Sequence, residues 1–415
     1  MAYTTVDAPQ AHFKVKKYSG TSSNDNAITF DETAVTMQPD VILLKSRSKA
    51  ESGAGGTWVL YSIFIHSQTG PTKIANETYP TLTNAVAEYG SSDTTGAVKS
   101  MDSNGFTLDT QGDNIRHNLN GDTYMAWCWK FGGNPTADNT ATSGAMTANS
   151  ISINGTLQSS HTPSASFTGG LEHIKRVSVN TVAGCCYMRI SGATNGDTFP
   201  HFLNTTPTMV WKKPAGGATG AMEVSLVEAN EDSYFHGSGT DNRGKKDDFA
   251  TRGSFADDAR SYDNTSSVIA AEDDWTVNGT EDNHLWIWSE TPGFSRFNRY
   301  EGNGNANGPK VMCGFKPALV IIKKVGASTP FVFFDNKNKT TDTTIAETPI
   351  NDMIGFGLEQ QTDSIATANR VNFYSNGFKI ESSGANVNSD GSKYIFMAWA
   401  DEVIGGANAV PPTAT

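Results

Sequence analysis

Cysteine is nearly absent from this chain: Cys128, Cys185, Cys186 and Cys313 are the only four in 415 residues. That is too few for a disulfide framework, and none stands at metal-ligand spacing. The adjacent Cys185 and Cys186 would point to opposite faces of a strand and so would not bond to each other. Long apolar runs are missing as well. The longest obvious one, YIFMAWA from Tyr394 to Ala400, falls far short of the ~20 residues of a membrane helix, so membrane insertion is not expected. Positive charge is scarce, with 31 Lys and Arg against 43 Asp and Glu and a net charge of −12. Nucleic-acid wrapping and attraction to anionic membranes both need clustered basic residues, so neither partner is expected. Helical periodicity is confined to TLTNAVAEYG, where Leu82, Val86 and Tyr89 could share a face. The N-terminal MAYTTVDAPQAHFKVKK lacks the basic-then-apolar order of a signal peptide, which predicts synthesis and folding in a cytoplasm.

Hydrophobic residues make up 37% and charged residues 18%, both below the about 45–50% and about 25% usual for globular chains. Gly, Ser, Thr, Asn and Asp fill the deficit. Aromatics at 10% exclude a disordered polar polymer, and 40 Gly in 415 residues exclude a collagen-like fibre. The composition is that of a loop-rich, β-rich globular protein.

Four landmarks recur three times in the same order. A strand ending in a small turn reads KKYSG to Gly20, MRISG to Gly192 and NRYEG to Gly302. A proline, a buried strand and a lysine six residues on follow: Pro39 to Lys45, Pro207 to Lys213 and Pro317 to Lys323. SNGF appears at Ser103–Phe106 and Ser375–Phe378, with EDDW at Glu272–Trp275 as a weaker match. A closing aromatic strand sits behind a polar turn, as NGDTYMAWCW (Asn120–Trp129), EDNHLWIW (Glu281–Trp288) and DGSKYIFMAW (Asp390–Trp399). The outer copies share a fifth feature, WVLYS (Trp58–Ser62) and FVFFD (Phe331–Asp335).

These landmarks divide the chain into an N-terminal arm at 1–10, copy one at 11–133, a Gly/Ser/Thr/Asn-rich linker at 134–164, copy two at 165–291, copy three at 292–405 and an extended tail at 406–415. The linker is expected to be flexible or to lie on the surface. The short joint ETPGFS predicts that copies two and three are held against each other. Short strands, β-branched or aromatic and bounded by turn residues, predict an all-β fold of three tandem antiparallel β-sandwich or jelly-roll domains.

All eight tryptophans fall in or beside a landmark. Their counterparts in copy three, such as Ile321 and Met397, preserve bulk rather than a planar face, so a packing role outweighs sugar stacking. Lys45, Lys213 and Lys323 read as strand-end lysines whose ammonium groups reach solvent, with an anion site as the sharper reading. Glu223 and Glu228, the best local carboxylate pair, are five apart and would face opposite ways without a bulge. No nucleophile elbow, zinc-protease motif or Walker loop is present, so catalysis is not expected. NVNSDG (Asn386–Gly391) echoes the start of a calcium loop but has Met397 where the closing glutamate belongs; neither metal nor cofactor is expected. The long polar excursion Glu231–Ser267 in copy two is the candidate partner or glycan contact, through Tyr234, His236, Arg243, Arg252, Arg260 and Tyr262.

MAYTTVDAPQAHF, the PDVILLKSR segment, SNGFTL, GDTYMAWCWK and YIFMAWADEVIG resemble a family of repeated concanavalin-like domains in structural proteins of tailed bacteriophages, common in viruses of marine bacteria. The likeness covers nearly the whole chain and is clearest in the outer copies. It implies a lectin-like sandwich fold and a virion protein, tail-associated as a fibre or spike. The partners it implies are other virion proteins and a host cell-surface glycan or receptor, with a homotrimer as the assembly. Without heptads, a compact spike suits the chain better than a long fibre. A virion decoration or tail-assembly protein is the alternative, and a glycan depolymerase a more distant one.

Overall fold

A computed structural model describes residues 6–46, 59–62, 72–74, 98–109, 117–193, 197–215, 223–228, 231–236, 268–270, 282–324, 331–337, 351–352, 354–356 and 370–402. The fold is all-β, as the landmarks predict, and each copy pairs one large sheet with one smaller sheet.

The large sheets share a strand order. The opening strand is Phe13–Ser19, Cys185–Ser191 or Ser295–Glu301. It pairs with the closing strand, Thr123–Trp129, Asp282–Trp288 or Lys393–Trp399. Next comes the lysine strand, Val41–Ser46, Met209–Ala215 or Leu319–Lys324. A fourth strand follows at Val59–Ser62, Glu223–Glu228 or Phe331–Asp335. Register repeats to the residue. Trp129 sits between Phe13 and Val41, Trp288 between Cys185 and Met209, and Trp399 between Ser295 and Leu319. Opposite these lie the smaller sheets: Asn26–Thr29, Gly105–Leu108 and Val98–Asp102 in copy one, Thr198–Pro200 with Val268–Ala270 in copy two, and four short strands in copy three.

The closing strands are buried on both faces, which is why they read as unbroken apolar runs rather than alternating ones. In copy one, Tyr124, Ala126 and Cys128 point into the sandwich, while Met125, Trp127 and Trp129 point out of its back. The same alternation holds in the other copies, and the three backs meet in one common core. Each copy touches both others there. Trp129 stands 5.8 Å from Trp211 and 5.5 Å from Trp399, and Trp288 stands 6.1 Å from Trp399, all edge-to-face. Phe13 of copy one stacks on Trp399 at 6.0 Å. The three sandwiches therefore form a closed triangle around a tryptophan-rich centre. The expected contact between copies two and three is one side of it.

Residues 134–164, expected as a linker that is flexible or lies on the surface, lie mostly at the surface and add two short strands to the copy-two sheet. Ile151–Ile153 runs parallel to Ile174–Asn180, Thr156–Leu157 pairs outside it, and together they extend the copy-two sheet to eight strands. Met146 and Ile151 are buried in the copy-two core, and the buried Asn139 donates from Nδ2 to the carbonyls of Leu171 (2.8 Å) and Ile174 (3.0 Å). A few anchors suffice to order a segment whose remaining composition is that of a loop.

The SNGF turns place glycine where a side chain cannot go. Gly105 has φ +144° and would set a Cβ 2.0 Å from the Ile28 carbonyl oxygen; a Cβ on Gly377 would meet that of Val311 at 2.0 Å.

Candidate functional site

Tyr234 and His236 lie on the strand Glu231–His236, paired opposite Ser225 and Glu223, at the end of the eight-stranded sheet. Arg243, Arg252, Arg260 and Tyr262 lie outside the described residues, so two of the six candidate contact residues share one edge strand. TLTNAVAEYG, Trp58 and Trp275 also lie outside them. Glu223 and Glu228 end a strand that pairs with no register shift on either side.

The other six tryptophans, Trp127, Trp129, Trp211, Trp286, Trp288 and Trp399, are buried in the common core. Trp127 donates from Nε1 to Asp335 Oδ2 at 3.3 Å, joining copies one and three. Trp129, Trp211, Trp286 and Trp399 have no conventional acceptor for Nε1 among the described residues. The edge-to-face packing around them brings indole edges against neighbouring ring faces, the geometry of N–H···π contacts.

The lysine reading needs correction. Lys45 and Lys323 are 5% and 2% exposed, so these ammonium groups are held inside rather than reaching solvent. Burial pushes the Lys323 pKa down to about 8. Lys14, which the sequence did not single out, is also buried; its Nζ donates to the carbonyls of Glu32 and Val35 and stands 5.3 Å over the Phe30 ring. Its position alternating with Phe13 and Val15 on a strand buried on both faces was the available signal.

NVNSDG belongs to a corner present in both outer copies. In copy three, Asn388 Nδ2 donates to Asn303 Oδ1, the Asn305 carbonyl and the Ser382 carbonyl (2.7–3.0 Å), and its Oδ1 accepts from Asn303 N–H at 2.8 Å. In copy one, Asn118 Nδ2 donates to the carbonyls of Ser23 and Asp109. Beside each asparagine a tyrosine pair stacks: Tyr18 on Tyr124 at 5.2 Å and Tyr300 on Tyr394 at 5.1 Å. Tyr18 and Tyr300 donate to the carbonyls of His117 and Val387. The segment that resembles a calcium loop thus spends its central amide on the protein itself. Among the described residues no group of three or more His, Cys, Asp or Glu is placed to hold a metal.

The four cysteines are buried and free, and burial raises every thiol pKa, that of Cys313 to about 12, which leaves them unreactive. His12 occupies the junction of all three copies. Its Nδ1 accepts from Asn180 Nδ2 at 3.0 Å and its ring meets Phe294 edge-on at 6.0 Å. Burial, with Lys130 nearby, lowers its pKa to about 4. Buried Asp40 pairs with Lys130 at 3.2 Å, and burial raises its pKa. Asp401, held by Asn336 Nδ2 at 3.0 Å to each carboxylate oxygen, is pushed up to about 6, chiefly by burial.

No curated protein and no solved structure matches the chain. One family does, described as Domain of unknown function (DUF7483), and it matches twice, over residues 8–169 and 157–403. The second match runs across both sandwiches of copies two and three, and the two together take in all three copies. The chain therefore belongs to the DUF7483 family.

Proposed function

We propose that this protein is a structural component of a tailed-phage virion, a tail-associated fibre or spike adhesin that binds a host cell-surface glycan without catalysis. What carries this reading is the run of motifs, from MAYTTVDAPQAHF to YIFMAWADEVIG, that resembles those of phage virion proteins. The architecture is compatible with it. The backs of the three large sheets are spent on the common core, which leaves the outer strands and loops as the surfaces open to partners. The excursion that begins on the edge strand Glu231–His236 is the contact we assign.

Gold-labelled antibody on intact particles tests the reading. Label at the tail tip or its appendages is expected. Label over the capsid shell would replace it with a decoration protein, and unlabelled particles would remove the virion assignment. Deleting residues 237–267 should abolish adsorption of the purified protein to host cells; unchanged adsorption would remove the excursion from the contact.

A further inference from the structure

Lys14 alternates with Phe13 and Val15 of the common core, so it points the other way, into the copy-one sandwich. It is 4% exposed there, with Nζ over the Phe30 ring. The amine meets three oxygens: the carbonyls of Glu32 and Val35, at 2.9 and 2.5 Å, and Asn104 Oδ1 at 3.4 Å. Asn104 belongs to the SNGF turn and is fixed from several sides. Phe30 N–H donates to its carbonyl at 3.1 Å, Met37 N–H donates to Oδ1 at 3.3 Å, and Nδ2 donates to the Glu32 carbonyl at 3.4 Å. The Glu32 carbonyl thus receives both the lysine nitrogen and the asparagine amide nitrogen, while a backbone N–H holds the amide oxygen. A buried amine, a carboxamide beside it and a donor on the carboxamide oxygen are the parts of an acyl transfer.

We propose that Lys14 and Asn104 join in an isopeptide bond, a covalent staple between the opening strand and the small sheet of copy one. Nζ adds to Cγ, the carbon bonded to the oxygen it already meets. The Cγ–Nδ2 bond then breaks, and the two protons that Nζ sheds depart with Nδ2 as ammonium. A protonated lysine and a carboxamide become a secondary amide and an ammonium ion, so the exchange balances with no oxidant or cofactor. Met37 N–H sits where negative charge develops on Oδ1 during the addition. Burial lowers the Lys14 pKa against the pull of the Glu32, Asp401 and Asp31 carboxylates, which favours the neutral nucleophile. Fixing the two groups side by side replaces an encounter that a free amine and a free amide make too rarely. Asn104 is half-buried, so water reaches the departing nitrogen. The other copies lack the pair. Lys14 stands opposite Cys128, and the matching positions carry Cys186 opposite Ile287 and Arg296 opposite Ala398. A guanidinium stays protonated and does not attack an amide, so one bond per chain is assigned.

Intact-mass spectrometry and tryptic mapping of the full chain, folded and incubated until its mass is constant, test this. The chain should be lighter than its unreacted form by one ammonia. The N-terminal peptide through Lys16, uncut at Lys14, should be recovered joined to Ser100–Arg116. Lys14→Arg keeps a cation for the three oxygens but cannot form the bond, so it should hold its full mass and melt at a lower temperature. The parent chain kept in guanidinium chloride should also hold its full mass, because the reaction needs the folded geometry. Full mass in the folded parent would overturn the proposal. So would loss of ammonia with Lys14 still open to trypsin, which places the change in a succinimide at Asn104–Gly105, and so would the same loss in Lys14→Arg or in the unfolded parent.

Discussion

Protonating His12 would put a charge where three sandwiches meet and where Asn180 offers it a donor instead of an acceptor. Its pKa is lowered from 6.5 to about 4, so the fold prefers the neutral ring. The unfolded chain binds the proton more readily across that window. Stability from this group is therefore complete above pH 6.5 and is lost as pH falls toward 4. At about 1.4 kcal/mol per pKa unit, the shift corresponds to roughly 3 kcal/mol. Asp401 acts in the opposite sense: its raised value favours the fold below its ordinary pKa and withdraws that help as pH rises through about 6. The two windows overlap, so the His12 contribution is read as a difference. Denaturant unfolding of His12→Gln and the parent between pH 4 and 7 should show the parent losing more stability on acidification; parallel curves would contradict this. Gly105 supplies a second test at this scale. With φ +144° and the Ile28 carbonyl in the way, Gly105→Ala should cost on the order of 2–4 kcal/mol, visible as a lower urea midpoint.

At the scale of strands, much of the fold is legible in the sequence. Trp127 and Trp129, like Trp286 and Trp288, stand two apart, the spacing that puts both on one face. The runs around them are apolar at every position, which marks a strand covered on both sides. What those signals do not reveal is the covering on the second side, because a buried back face looks the same whether a helix, a partner or another copy lies over it. Residues 134–164 hide their strands for a different reason. Their Gly, Ser, Thr and Asn dominate the composition, while the order comes from Asn139, Met146 and Ile151. A lysine's long stem at a strand end usually carries its charge to water, whereas Lys45 and Lys323 are buried where they stand. The candidate contact residues were least legible, since a polar excursion has no period from which a site can be built. The aromatic packing yields an element-level prediction. Trp399 meets Trp129, Trp211, Trp288 and Phe297 within 6.4 Å, so Trp399→Ala should cost about 3–5 kcal/mol, measured by chemical denaturation.

At the scale of the molecule, three sandwiches that share one core should unfold together. Calorimetry of the full chain is expected to show a single cooperative transition, and Trp399→Ala should lower it as a whole; three separable transitions would mean that the common core does not couple the copies. A fragment comprising copy one alone would expose Val15, Leu43, Trp127 and Trp129 to water and should aggregate. The homotrimer implied by the resemblance has to use other surfaces, since the backs of the large sheets are already occupied within one chain. Light scattering decides it: a mass near three times 44.4 kDa supports the trimer, and 44.4 kDa leaves the threefold arrangement wholly internal.

Covalent continuity also frees each third of the triangle to change by itself. In an assembly of identical subunits, a substitution at the centre appears three times, and any strain or unpaired group it brings is tripled. Here the stacked tyrosines of the outer copies are replaced once, by Ile190 and Asn283 at the matching register positions of copy two. A histidine, His284, stands once where its counterparts are Met125 and Ile395, with its Nδ1 2.7 Å from the Tyr187 hydroxyl. One face of the body can thus be altered for a new contact while the other two go on holding the molecule together, a freedom that strict symmetry does not allow.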